Sequence, residues 1–200
     1  MSIYAWPQSP GWYPNRFEMR IIPNVLVFTS PYNKATQAVD LLGERWAISM
    51  DLPGSTDVAL GAAFEAFFDR LKGPVNLITI GHQKRPQPLG TLRGTPTLYA
   101  AVAQLANIAT VQTTAGATLQ AGDQLSLAGQ LVRVMAAATA DGAGLITVEF
   151  APRARVAMAS GAAVVWNYPT ADFRLAADGV PVSWGVGRID GCSLSLIEST

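Results

Sequence analysis

One histidine and one cysteine among 200 residues leave almost no material for a catalytic or metal-binding constellation. The lone Cys192 excludes an internal disulfide and any cysteine-built metal cluster. It stands in the alternating run "CSLSL", where a small buried hydrophobe is the expected role. The lone His82 has no second histidine or cysteine nearby to complete a zinc site. No strand–nucleophile–helix elbow is present to hold a hydrolase triad around it. Charge is scarce as well: 14% of residues are charged, with 14 Lys/Arg against 14 Asp/Glu, where about 25% is usual. The densest basic patch, "HQKRP" from His82 to Pro86, lies among Pro and Gly and reads as a solvated turn. Sequence-specific nucleic-acid binding is not expected of it. No apolar run reaches the length of a membrane-spanning helix, and no basic-then-apolar leader opens the chain, so neither a membrane span nor a secretory signal is expected.

The remaining candidates for chemistry are thin. Asp51, Asp57, Glu65 and Asp69 surround one helix as surface charge, without the facing geometry of an acid/base pair. "AGDQ" and "DGAG" are too short for a calcium loop, and no glycine-rich fingerprint precedes a helix. Neither catalysis nor a cofactor is therefore expected.

Half of the chain is apolar, and that apolar half is well patterned. "ERWAISMD" alternates, with Trp46, Ile48 and Met50 on one face and Arg45, Ala47, Ser49 and Asp51 on the other, as a half-buried strand should. "LPG" closes it. A helix over 56–72 follows, with Ser55 or Thr56 as cap and Asp57 at its positive end. Leu60, Phe64, Phe67 and Leu71 recur at helical spacing with Phe68 beside them, and Gly73-Pro74 ends the helix. "MRIIPNVLVFTS", interrupted at Pro23-Asn24, and "VNLITI" read as further strands. Residues 1–17 form an arm rich in proline and aromatics. They are too proline-rich for a helix and too aromatic for a plain flexible tail. Tyr4, Trp6, Trp12 and Tyr13 suit an arm laid on its own barrel or on a neighbour.

Beyond the Pro/Gly stretch 81–97 the chain turns into short strands. Gly122-Asp123, Ala128-Gly129, Asp141-Gly142 and Ser160-Gly161 punctuate them closely, which describes a small barrel or sandwich. Cys192, Leu194 and Leu196 alternate with serines in a last strand, placed so that the chain returns to its first unit. The fold expected is all-β, with one flanking amphipathic α-helix and a second β-domain inserted into the first. Trp166 and Tyr168, two apart in "VVWNYPTADF", share a strand face and suit stacking on a sugar. A non-catalytic carbohydrate-binding module is therefore an alternative reading.

The order of motifs adds a resemblance. A "GERW" strand, "LP", a helix and "LKGP" precede "RPQPLGTLRGTP". Then come "LQAGD", "TADGAG" and "DFRLA" and a last hydrophobic strand. Over roughly residues 18–198 this order resembles the distal tail or baseplate hub-ring family of long, non-contractile-tailed bacteriophages. The resemblance implies a structural virion protein at the distal end of the tail, assembled in the host cytoplasm. It implies a homo-oligomeric ring of about six copies around the DNA channel. Its partners would be the tail tube, the hub or tip protein, the tape-measure protein and, on the outside, a receptor-binding protein. A tube, terminator or adaptor ring is a neighbouring possibility. In that frame 18–92 plus 184–200 would form the ring, 93–183 would be a peripheral barrel, and 1–17 an arm. Interface candidates are Trp6, Trp12, Tyr13, Arg45, Arg70, Lys72, Trp166 and Tyr168. The arm holds more Trp and Pro than the family pattern leads one to expect.

Overall fold

The computed structural model describes residues 1–199 and is a mostly β structure with one helix, built as two β units. The chain begins with β1 (Ile3–Ala5), β2 (Arg16–Ile22), β3 (Val25–Thr29), β4 (Thr36–Asp40) and β5 (Arg45–Leu52). Helix α1 (Val58–Leu71) and β6 (Leu77–Gly81) follow. The period-two pattern of β5 is realised: Trp46, Ile48, Met50 and Leu52 are buried and Arg45 and Ser49 are exposed. Helix α1 starts one or two residues later than expected, because the Asp57 carboxylate accepts from the Ala59 backbone N–H at 2.9 Å and so takes the cap. Ser55 Oγ instead accepts from Asp57 N. Lys72 in the left-handed conformation ends the helix.

The second unit holds β7 (Thr97–Leu98), β8 (Ile108–Gln112), β9 (Thr118–Leu119), β10 (Gln124–Leu127), β11 (Gln130–Val134), β12 (Ala138–Thr139), β13 (Leu145–Ala151) and β14 (Val164–Val165). Its main sheet runs β14-β10-β11-β13-β8-β7. The two ends approach through a bridge between Thr97 and Ala163 and a Leu98 N–H to Ala162 carbonyl bond of 2.9 Å, which nearly closes a small barrel. Ala128 and Gly129 both have positive φ, 48° and 90°. That is the two-residue turn whose twist suits a tight hairpin, and it joins β10 to β11. Asp123, almost fully buried, accepts from Leu89, Gly90 and Gln120 backbone N–H groups. One carboxylate thereby ties the incoming linker to the barrel.

The chain then returns through β15 (Thr170–Leu175), β16 (Ser183–Gly185) and β17 (Arg188–Glu198). The first sheet is ordered β1-β6-β15-β17-β5-β2, with β16 against β17. The returning strand is thus central, paired with β15 on one side and β5 on the other. The boundary expected at 183 is displaced. β15, which carries "DFRL", pairs with β6 and β17 and belongs to the first sheet. Alternation reports which face of a strand is buried, not which sheet it joins.

One core lies between the first sheet, α1 and the arm. A second fills the barrel, built from residues such as Leu119, Leu125, Val132, Ile146 and Phe150. Between the units, the Trp46 indole N–H donates to the Leu131 carbonyl at 2.9 Å, and the Arg133 guanidinium lies over the same ring.

Candidate functional site

β2 and β5 pair as one antiparallel ribbon from Arg16↔Asp51 to Ile22↔Arg45. Pro23 then removes a backbone donor, and ladder pairing breaks there. Asn24 repairs the break: its carbonyl accepts from Leu41 N at 2.8 Å, and its amide donates to the Leu42 carbonyl at 2.7 Å. Leu42 and Gly43 take positive φ at this root. The ribbon resumes as β3 and β4, paired from Val25↔Asp40 to Thr29↔Thr36. Tyr32 stands at the tip, 98% exposed.

Every residue of β3 and β4 is exposed. Opposite residues share a face, so Leu26, Phe28, Val39 and Gln37 look one way. Val25, Val27 and Ala38 look the other way, together with Thr29, Thr36 and Asp40. A free two-stranded hairpin in water is marginal at best, and here both of its faces carry apolar side chains. The root is held on the barrel side by Arg155, which donates to the Glu44 carbonyl, and by Arg153, 3.7 Å from Asp40. The projecting half has no such support and reads as a surface built to be covered.

The candidates named from sequence are scattered. Trp6 and Trp12 are not available as contacts to a neighbour, because both are buried in their own chain, at 3% and 6% exposure. Trp12 sits edge-on to Phe64 and Phe67, with ring centres 4.6 and 5.0 Å away, and Trp6 is edge-on to Phe67. Such edge-to-face pairs add about 0.5–1.5 kcal/mol each beyond area burial, which draws the arm onto its own helix. Tyr13 stays half-exposed, and its hydroxyl donates to the Gln8 carbonyl. Arg45 is exposed on the outward face of β5, while Arg70 and Lys72 are exposed at the C-terminal end of α1. None of these three belongs to the hairpin.

Trp166 and Tyr168 are each engaged within the chain. The Trp166 indole N–H donates to the Gly94 carbonyl at 2.8 Å, and Arg93 covers one ring face at 4.9 Å. The Tyr168 hydroxyl accepts from the Gln8 and Gln83 amides, which joins the arm to both linkers of the barrel. His82 is half-buried, and its Nδ1 accepts from the Lys84 and Arg85 backbone N–H groups. Burial first, and then the charges of Arg85 and Arg133, push its pKa down to about 4. Burial likewise raises the Cys192 thiol to about 11, which removes its thiolate at neutral pH. Among the described residues no cluster of three or more His, Cys, Asp or Glu stands ready for a metal. Among the described residues no helix is long and apolar enough to cross a membrane.

Sequence reasoning passed over the hairpin. "VLVF" announces a strand, and an apolar strand is read as buried. The interruption expected at Pro23-Asn24 was the signal: it detaches that strand from the sheet, a consequence the sequence alone did not spell out.

No protein-family model matches the chain, and no curated protein matches its sequence.

Proposed function

We propose that the chain is a structural subunit of a bacteriophage tail tip. Copies of it form a closed ring, of about six, joining the tail tube to the hub or tip around the DNA channel. One observation carries the assembly half of this reading: a projecting hairpin, apolar on both faces, that its own chain leaves uncovered. A surface of that kind stays in solution only when neighbours cover it, and two-sided apolarity calls for cover on two sides. Identical contacts repeated head to tail generate a ring when the rotation closes. The low charge of the chain suits permanent interfaces, which are drier than ordinary surface. The station at the distal end of a phage tail comes from the resemblance in motif order, and the tube, hub and tape-measure proteins enter as partners on that basis.

The experiment is the native mass of the purified protein across a concentration series, with imaging of any large species. A closed ring of identical 21.1 kDa copies around a central hole is the expected result. A monomer at every concentration, unchanged when tail tube and hub proteins are added, overturns the proposal.

A further inference from the structure

The hairpin leaves open a strand edge as well as two faces. Leu41 N donates to the Asn24 carbonyl and Ser30 N to the Ala35 carbonyl. Antiparallel rungs alternate between bonded and unbonded pairs, so in the register of β3 and β4 the bonded residues of β3 are Leu26 and Phe28. The backbone N–H and C=O groups of Val25, Val27 and Thr29 therefore point outward. This edge carries no charge, proline or bulge, the devices that guard an exposed edge. The β4 edge is guarded, since Asp40 stands on it beside Arg153.

The other edges are closed, guarded or very short, with one exception. At β2, one end of the first sheet, Arg133 of the barrel donates to the Met19 carbonyl at 3.0 Å. The ends of the barrel sheet are bridged at Thr97 and Ala163. β16 is three residues long with an irregular register, and β9 and β12 are two residues each. The exception is β1, the other end of the first sheet. Its ladder to β6 uses the Ser2 carbonyl and the Trp6 N–H. In that parallel register Ile3 and Ala5, both exposed, turn their backbone groups away from β6.

The two open edges do not meet within one copy. The rung through Tyr4, Ile78, Phe173 and Glu198 reaches β2 at Ile21. Val27 lies six residues beyond Ile21, roughly 20 Å further along the strand. We infer that the β3 edge of one copy pairs antiparallel with the β1 edge of the next, Val27 opposite Ile3 and Val25 opposite Ala5. The first sheet then continues across the subunit boundary by strand addition. The occupant is a second copy of this chain, and the inference rests on the ring reading above.

The prolines select the register. With Val27 opposite Ile3, Pro23 falls opposite Pro7, and the ladder ends where both strands lack a donor. A shift of two residues sets Val25 against Pro7 in one direction and Ala5 against Pro23 in the other, and either loses a bond. In the selected register Ile3 and Val27, each more than half exposed, cover one another side by side. The two edges are different surfaces of one molecule, so the contact is head to tail and repeats until the ring closes. Two β3 edges pairing with each other would stop at a dimer.

The test mixes two full-length variants, Ile3→Cys and Val27→Cys, both with Cys192→Ala, under mild oxidation across the concentration series. Disulfide-linked pairs should form in the mixture and in neither variant alone. Ala5→Cys mixed with Val27→Cys should link far less, being two residues out of register. Val27→Pro removes an outward N–H without touching the bonds between β3 and β4. It should weaken assembly about tenfold or more, through the lost bond and a ring in the path of the partner strand. Val27→Thr, which keeps the N–H and the branched side chain, should assemble like the parent. Both variants should melt as the parent monomer does. A disulfide in Val27→Cys alone would mean that β3 pairs with β3, which overturns the inference. If the mixture assembles without a disulfide and Val27→Pro assembles like the parent, the edge contact is wrong and the ring reading survives. If nothing assembles at any concentration, with tail tube and hub proteins added, both fall.

Discussion

Arg155 of the inserted barrel grips Glu198 at the end of β17 with both arms of its guanidinium. One of the two bonds is 2.8 Å long, and the carboxylate also accepts from the Trp46 backbone N–H at 2.9 Å. The Glu198 side chain is 2% exposed and the Arg155 side chain 27%. A carboxylate taken so far out of water is tolerable only when its acceptor sites are filled, and here three donors fill them. The same Arg155 holds the hairpin root through the Glu44 carbonyl. One side chain therefore fixes the barrel, the last strand and the hairpin root together.

Arg155→Ala should consequently cost more than an ordinary surface ion pair. It leaves the Glu198 charge buried with only the Trp46 N–H, a loss on the order of 3 kcal/mol. Replacing both partners with methionine should recover most of that, since no uncompensated charge then remains. Urea midpoints of the parent, Arg155→Ala and the double variant check this. Equal losses in Arg155→Ala and in the double variant would show that packing, not charge, holds the junction.

Gly61 faces the opposite choice. Exposed helix interiors gain about 1 kcal/mol from Gly→Ala. At Gly61, however, a Cβ would lie 2.4 Å from Ile189 Cγ2 and 2.5 Å from the Trp184 ring. The Trp184 tip can move aside, because that ring is 43% exposed. Ile189, 1% exposed in the core, has nowhere to go. Overpacking of that kind costs about 1–3 kcal/mol, so Gly61→Ala should lower the unfolding midpoint, against helix propensity. A raised midpoint would mean that the helix shifts freely on β17.

The parts of this fold legible in the sequence are those that local periodicity controls. β5 and the alternation of Cys192, Leu194 and Leu196 follow from spacing, and their burial agrees. Of the α1 stripe, Phe64 and Leu71 are buried as expected, but the buried line runs through Gly61 and Phe68, and Leu60 and Phe67 are only partly buried. The helix cap was ambiguous because Ser55, Thr56 and Asp57 are all good caps, and only the side-chain geometry selects Asp57. Trp6 and Trp12 announced a docking arm, but nothing local distinguishes its own helix from a neighbour's. "DFRLA" reads as a strand in either unit. Arg155 and Glu198 are 43 residues apart, so no periodicity links them. Likewise Leu42 and Glu44, at the hairpin root, line one pit with Leu105 and Pro152, which come from other parts of the chain.

Acid should loosen the junction through His82. Its ring packs against Phe17 at 4.8 Å, with Arg85 and Arg133 as its charged neighbours. An unfolded histidine titrates near 6.5, whereas burial and those two cations hold the folded one at about 4. Between these values the unfolded chain binds the extra proton and the folded chain does not. Stability contributed here is therefore intact above about pH 6.5 and falls as pH drops towards 4. His82→Asn retains an acceptor for the Lys84 and Arg85 N–H groups but cannot titrate. Its stability should be flatter than that of the parent over this window, as read from urea midpoints at a series of pH values. Parallel curves would remove His82 from the account.

The hairpin separates folding from assembly. Val27 and Phe28 point to opposite faces, and both are more than half exposed. Within one copy neither contributes to a core, so Val27→Ser with Phe28→Ser should change monomer stability by no more than about 0.5 kcal/mol, the range of an ordinary surface change. In the assembled state the same two changes remove apolar cover from both faces of the ribbon. The double variant should stay monomeric at concentrations where the parent forms large species, and native mass measured beside a thermal melt reads both effects on one sample. A double variant that unfolds early would show that the hairpin packs on its own chain in solution. One that folds and assembles like the parent would move the interface elsewhere on the molecule, with the outward face of β5 around Arg45 the next surface to alter.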